Sequence, residues 1–190
     1  MLRCTTQFWQ CMVTLLTRRL LLREFTQDDW PDLHTIESDP EVARYQSFEP
    51  RTRADAHAYV QGVLAEARLQ PRRTYDLAVV LRASNRMIGR CGLHLTNVEL
   101  REGMVWYTLL RALWGQGYTP EALRSLVDFG FSELKLHRVW AECDPLNRAS
   151  YRVLEKLGMQ REGHLRENAW IKGAWTDSFI YAILDREWSS

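Results

Sequence analysis

The chain has 190 residues, of which 46% are hydrophobic and 26% are charged, and its formal net charge is +1 at pH 7. This length fits one globular domain with an ordinary core. The near-neutral charge, without a long run of one sign, argues against nucleic acid and against an anionic membrane surface as partners.

The cysteines show neither a CxxC pair nor a His/Cys spacing suited to a metal; they are Cys4, Cys11, Cys91 and Cys143. We therefore expect no metal site and a reducing, cytoplasmic compartment. The weak apolar stretch at the N-terminus is a poor signal peptide, and no run approaches the ~20 apolar residues of a membrane span. We expect residues 1–15 to be an N-terminal extension and residues 16–190 to be a single domain.

The predicted elements begin with a strand before helices, and strands and helices alternate later in the chain. Hydrophobic periodicity, capping residues and turn chemistry predict strands over 19–25, 75–81, 87–95, 104–110, 138–142, 159–166 and 174–184, and helices over about 26–38, 53–69, 119–133 and 147–157. Gly158 is expected to end the last helix. This pattern predicts an α/β (α+β) fold, in which a mixed central sheet of about seven strands carries helices on both faces.

A glycine-rich segment, Trp114-Gly115-Gln116-Gly117-Tyr118, lies between a predicted strand and a predicted helix. Such a loop can present backbone N–H groups and the positive end of the helix dipole to a pyrophosphate. Thr119 can add a hydroxyl. Taken alone, the segment is equally compatible with a tight turn that binds nothing, and it lacks the third glycine of a dinucleotide fingerprint.

A second motif runs from Asn147 through Ser150 to the segment 155–159, Glu-Lys-Leu-Gly-Met. Together with Glu121-Ala122 after the glycine loop, the two motifs resemble the acyl-coenzyme A site of the GNAT N-acetyltransferases, and within them the ribosomal-protein (RimJ/RimL-like) group. The resemblance extends from about residue 16 to 188. It implies the GNAT fold, with a splayed pair of parallel strands, and acetyl-coenzyme A as cosubstrate.

The resemblance also implies roles for particular residues. The backbone N–H groups of Leu109 and Leu110 would stabilise the oxyanion, and Ser150 would protonate the leaving thiolate. The tyrosine that is common in the family is replaced by Leu154, which makes Ser150 the main candidate for the acid. From the residues alone, Ser150 could equally be a hydroxyl in the first helical turn, and Asn147 a plain N-cap.

The sequence leaves the general base unassigned. Relatives often carry a glutamate on the strand before the glycine loop, where this chain has Met104-Val105-Trp106-Tyr107. Glu102 and Glu167 are the candidates, although each could be an ordinary surface residue. Alternatively no strong base is required, because an α-amino group with a pKa near ~8 is partly neutral at neutral pH.

The implied function is acetyl transfer by direct attack of a primary amine, which would be a protein N-terminus or a small-molecule amine. The aromatic residues that could line the acceptor pocket are Trp106, His94, Tyr45, Phe48 and Trp170. The alternative is a non-catalytic acyl-coenzyme A binder, which the missing glutamate and tyrosine favour. The resemblance also implies a possible homodimer.

Overall fold

A mixed β-sheet organises the residues that the computed structural model describes, which are 12–189. Eight strands follow the spatial order β1-β2-β3-β4-β5-β6-β8-β7. Their bounds are β1 Thr14–Leu16, β2 Leu20–Glu24, β3 Thr74–Leu81, β4 Arg86–Asn97, β5 Glu102–Leu109, β6 Arg138–Cys143, β7 Gln160–Ile171 and β8 Ala174–Leu184. The helices are α1 Trp30–Glu37, α2 Pro40–Ala43, α3 Arg53–Glu66, α4 Tyr118–Ser132 and α5 Arg148–Lys156.

Side chains alternate between the two faces of the sheet, and each face is covered by its own helices. One face packs Val105, Leu109 and Val139 against residues of α4 and α5. The other face packs Ala78 and Val80 against residues of α1 and α3. Helices therefore lie on both sides of the sheet, as the sequence predicts.

Only the first parts of the parallel strands β5 and β6 are paired. Three residue pairs join them, ending at Met104 and Trp140. Beyond these pairs β5 stays hydrogen-bonded to β4 as far as Leu109, whereas β6 follows β8 as far as Cys143. The two strands therefore separate towards their carboxyl ends, which confirms the predicted splay and leaves one side of β5 open.

Two elements had no counterpart in the sequence prediction. Strand β1 pairs with β2, and two of its residues, Thr14 and Leu15, fall in the predicted extension, of which residues 1–11 lie outside the described part. The short helix α2 follows Asp39, whose carboxylate accepts a hydrogen bond from the Glu41 N–H. Gly158 has a φ of 84°, as a residue after a helix C-terminus requires.

No helix between residues 12 and 189 is long and apolar enough to cross a membrane.

Candidate active site

The glycine loop adopts a conformation that side chains disfavour. Gly115 and Gly117 have φ angles of 75° and 78°, and α4 begins directly afterwards at Tyr118. A Cβ atom at Gly115 would meet nothing within 4 Å, so the loop backbone faces open space. The free N–H groups at the start of α4 are thus accessible to an anion.

An ion pair fixes this loop to the edge of the sheet. The Glu121 carboxylate accepts hydrogen bonds from the Thr17 hydroxyl at 2.6 Å and from Arg19 Nε at 2.6 Å. Arg19 Nη1 donates in turn to the Gln116 carbonyl at 3.0 Å, in the middle of the loop. Burial alone would raise the pKa of Glu121, but the hydrogen bonds from Thr17 and Arg19 outweigh it and hold the pKa below its ordinary value.

Of the two backbone N–H groups predicted to stabilise an oxyanion, one is already used by the sheet. The Leu110 N–H already donates to the Ile88 carbonyl at 2.8 Å, so it is not free for an oxyanion. Successive N–H groups of a strand point to opposite sides, which directs the Leu109 N–H away from β4 and towards the gap left by β6. Trp114 Nε1 donates to the Leu109 carbonyl at 2.8 Å and anchors this strand end.

The start of α5 brings two hydroxyl groups together. The Asn147 side chain caps the helix by accepting a hydrogen bond from the Ser150 N–H at 3.1 Å. The Ser150 hydroxyl lies 2.7 Å from the Tyr107 hydroxyl, which also contacts the Ser150 carbonyl at 3.1 Å. Burial raises the pKa of Tyr107 well above its ordinary value, so this phenol stays protonated.

These three parts border one cavity of about 540 Å³. Its lining includes most of the residues predicted to hold the cofactor: Leu109, Trp114, Gly115, Gly117, Tyr118, Thr119, Asn147 and Ser150. Leu110 and Gln116 are not part of the lining. Among the predicted acceptor residues, only Tyr45 borders the cavity.

Helix α5 adds a positively charged stripe that the sequence analysis missed. Arg148, Arg152 and Lys156 recur every four residues and all line the cavity. Side chains four apart share one helix face, so the stripe faces the same space as the glycine loop. The spacing of these basic residues was visible in the sequence, and it is the signal that could have found them.

The two candidate bases lie elsewhere. Glu102, at the start of β5, is ion-paired to Arg138 at 3.1 Å and sits seven residues from Leu109, roughly 23 Å along an extended strand. Glu167 is exposed on β7, where its φ is 46° and its N–H donates to Asp177. Neither carboxylate borders the cavity; the acidic residue that does is Glu41.

Four of the residues predicted to line the acceptor pocket lie elsewhere in the structure. The Trp106 ring covers Gly92 so closely that a Cβ there would lie 2.1 Å from a ring atom. His94 Nδ1 lies 2.9 Å from the Thr74 hydroxyl, and Arg51 stacks on the Phe48 ring at 4.4 Å. Trp170 is 60% exposed on the β7–β8 hairpin. The structure does not bring these four side chains into the cavity.

The site fits a long anionic thioester. The glycine loop and the basic stripe suit its phosphates, the open edge of β5 suits an amide-containing arm, and the Ser150 hydroxyl borders the same cavity. Fold and site together define an acyl-coenzyme A-dependent transferase.

Comparison with known proteins agrees. Residues 19–160 match the family described as "Acetyltransferase (GNAT) domain", so the chain belongs to the GNAT acetyltransferases, which use acetyl-coenzyme A. It is 32% identical over 178 residues to the uncharacterized N-acetyltransferase p20 of Bacillus licheniformis, covering 94% of this chain and 99% of the relative.

A solved structure and a functionally named relative extend the comparison. The crystal structure of a GNAT-family acetyltransferase from Bacillus anthracis has a TM-score of 0.83 at 31% identity, covering 92% of this chain and 100% of that one. The [Ribosomal protein uS5]-alanine N-acetyltransferase of Escherichia coli is 28% identical over 83 residues, covering 44% of this chain and 43% of the relative.

Proposed function

We propose that this acetyltransferase transfers the acetyl group of acetyl-coenzyme A by direct attack of a primary amine, carried by a protein N-terminus or a small molecule. The supporting observation is the single cavity that joins the open end of β5, the glycine loop and the start of α5. The groups to which we assign the oxyanion, the phosphates and the acid thus border one space, as acyl transfer requires.

Each group has one task in the reaction. The Leu109 N–H donates to the thioester carbonyl oxygen as negative charge develops there. The amine nitrogen forms the new C–N bond, and the C–S bond breaks. Ser150 gives its proton to the departing sulfur and regains one from solvent, while the attacking nitrogen loses one proton to solvent. The basic stripe and the start of α4 hold the phosphates.

We propose that the acceptor enters already uncharged. Glu102 and Glu167 remain predicted bases, but neither borders the cavity, so each would need a relay to reach the amine. An α-amino group, with a pKa near ~8, provides a useful neutral fraction at physiological pH, whereas a lysine side chain near ~10.4 provides little. An N-terminal α-amine is therefore the favoured acceptor, and the name of the E. coli relative agrees with that choice.

The test is thiol release from acetyl-coenzyme A across a panel of N-terminal peptides, lysine peptides and polyamines, with calorimetric binding on the same preparation. We expect turnover with an α-amine. Below the pKa of that amine, kcat/KM should rise about tenfold per pH unit, because only the neutral form attacks.

The result that would contradict the proposal is tight cofactor binding without turnover of any amine, which would support a non-catalytic binder instead. A plateau of kcat/KM well below the amine's own pKa would indicate a protein base, for which Glu102 and Glu167 are the candidates. The homodimer and the cytoplasmic location remain predictions; sedimentation analysis and cell fractionation test them.

A further inference from the structure

The contact between Tyr107 and Ser150 allows two hydrogen-bond arrangements, because either hydroxyl can be the donor. Tyr107 lies on β5 and Ser150 on α5, 43 residues apart. Both border the cavity. The Tyr107 hydroxyl reaches two Ser150 oxygens, the hydroxyl at 2.7 Å and the carbonyl at 3.1 Å, yet it has one hydrogen to donate.

The single hydrogen defines two states. If Tyr107 donates to the Ser150 carbonyl, the short contact must be made by the Ser150 hydrogen, which then points at Tyr107 and is unavailable to a sulfur atom. If Tyr107 donates to the Ser150 hydroxyl oxygen, the Ser150 hydrogen is free to point into the cavity. Acid catalysis by Ser150 requires the second state.

We propose that Tyr107 is the positioning residue that holds the Ser150 hydroxyl with its hydrogen directed at the cofactor sulfur. This inference rests on the proposed acetyl transfer. As the C–S bond breaks, Ser150 passes its proton to the sulfur, and the hydrogen bond from Tyr107 stabilises the negative charge left on the Ser150 oxygen. Solvent then returns a proton to Ser150, so that the net change is one proton gained by the thiol and one lost by the amine.

Two further observations support this assignment. Burial raises the pKa of Tyr107, so the phenol keeps its hydrogen and serves as a constant donor. Leu154, one helical turn after Ser150 on α5, is fully buried and does not border the cavity. The tyrosine hydroxyl that contacts the Ser150 hydroxyl comes from strand β5.

The experiment is a double-mutant cycle of Tyr107→Phe and Ser150→Ala, read by thiol release with an amine acceptor, by the slow hydrolysis of acetyl-coenzyme A without one, and by calorimetric binding of coenzyme A. We expect Ser150→Ala to lower kcat about a hundredfold and Tyr107→Phe about tenfold, with the affinity for coenzyme A unchanged. The double variant should be no slower than Ser150→Ala alone.

Tyr181→Phe is the control, since the Tyr181 hydroxyl also makes a hydrogen bond inside the protein, to Glu155 at 3.0 Å, and Tyr181 does not border the cavity. It should keep the parent kcat, and its thermal midpoint should show how much a lost hydroxyl destabilises the fold. The inference would be overturned if the two losses of kcat multiplied in the double variant. It would also be overturned if Tyr107→Phe changed the affinity for coenzyme A and left kcat unchanged.

The hydrolysis assay separates the two proposals. Hydrolysis that depends on Tyr107 in a chain that acetylates no amine would sustain the positioning role and reject the acceptor function. Amine turnover that depends on Ser150 but not on Tyr107 would support the acceptor function and reject the positioning role of Tyr107.

Discussion

At the scale of single residues, the glycine loop is the most sensitive point of the site. Gly117→Glu would place a side chain and a negative charge beside the space assigned to the pyrophosphate. The loop also loses a residue that tolerates a φ of 78°, at about 1–2 kcal/mol. We expect the affinity for coenzyme A to fall about a hundredfold or more, as measured by calorimetry.

The chain offers a matched control for this substitution. Gly173 has the same φ of 78°, and a Cβ there would also meet no backbone, but it lies in the β7–β8 turn outside the cavity. Gly173→Glu therefore imposes equal strain and charge and should leave coenzyme A binding unchanged. Equal affinity in both variants, with intact folding, would show that the loop does not hold the phosphates.

The same loop shows which site residues can be predicted from the sequence. Gly115 and Gly117 were predictable because their role depends on local backbone conformation, and Asn147 because capping is a local interaction. The Tyr107–Ser150 contact was not predictable, because it joins residues 43 apart and depends on how β5 is placed against α5.

At the scale of elements, α5 carries the basic stripe that we assign to the phosphates. Arg152→Ala should raise the dissociation constant for coenzyme A about threefold to tenfold, since an exposed charge pairs weakly in water. The effect should shrink as salt is added, because salt screens such pairs. Calorimetric titrations at low and high salt measure both.

Arg53→Ala is the control for Arg152→Ala. Arg53 is exposed at the start of α3 and does not border the cavity, so its removal changes the net charge by the same amount. A loss of affinity shared by both variants would indicate a general charge effect and would contradict the assignment of α5.

Strand register explains why several residues predicted to belong to the site do not lie at the cavity. Trp106 and Tyr107 are neighbours, and alternation sends their side chains to opposite faces; only Tyr107 reaches the cavity. Leu110 and Leu109 differ in the same way, because pairing with β4 occupies one N–H and leaves the other. Glu102 is at the paired end of β5, away from the splay. Periodicity predicts that these residues form a strand. Which face each side chain or N–H group points to depends on the pairing with neighbouring strands, and the sequence alone does not determine that pairing.

At the scale of the whole molecule, a buried charge network joins the helical layer to the sheet. Glu37, at the end of α1, is fully buried. Its two oxygens accept hydrogen bonds from Arg90 Nε at 2.7 Å and from Arg51 Nε at 2.5 Å. The Thr108 hydroxyl, next to Leu109, donates to the same carboxylate at 3.1 Å. The network therefore connects α1, β4 and the open end of β5.

Removing the centre of this network should destabilise the entire fold. Glu37→Ala leaves Arg90 without one of its two carboxylate partners in a buried position, and losing one partner of a buried ion pair costs about 3–5 kcal/mol. The free energy of unfolding, measured by urea titration, should fall by that amount. Glu133→Ala, at an exposed position after α4, should change it by less than about 0.5 kcal/mol. A loss below about 1 kcal/mol in Glu37→Ala would mean that water replaces the carboxylate, and that the helical layer is held to the sheet by its apolar contacts alone.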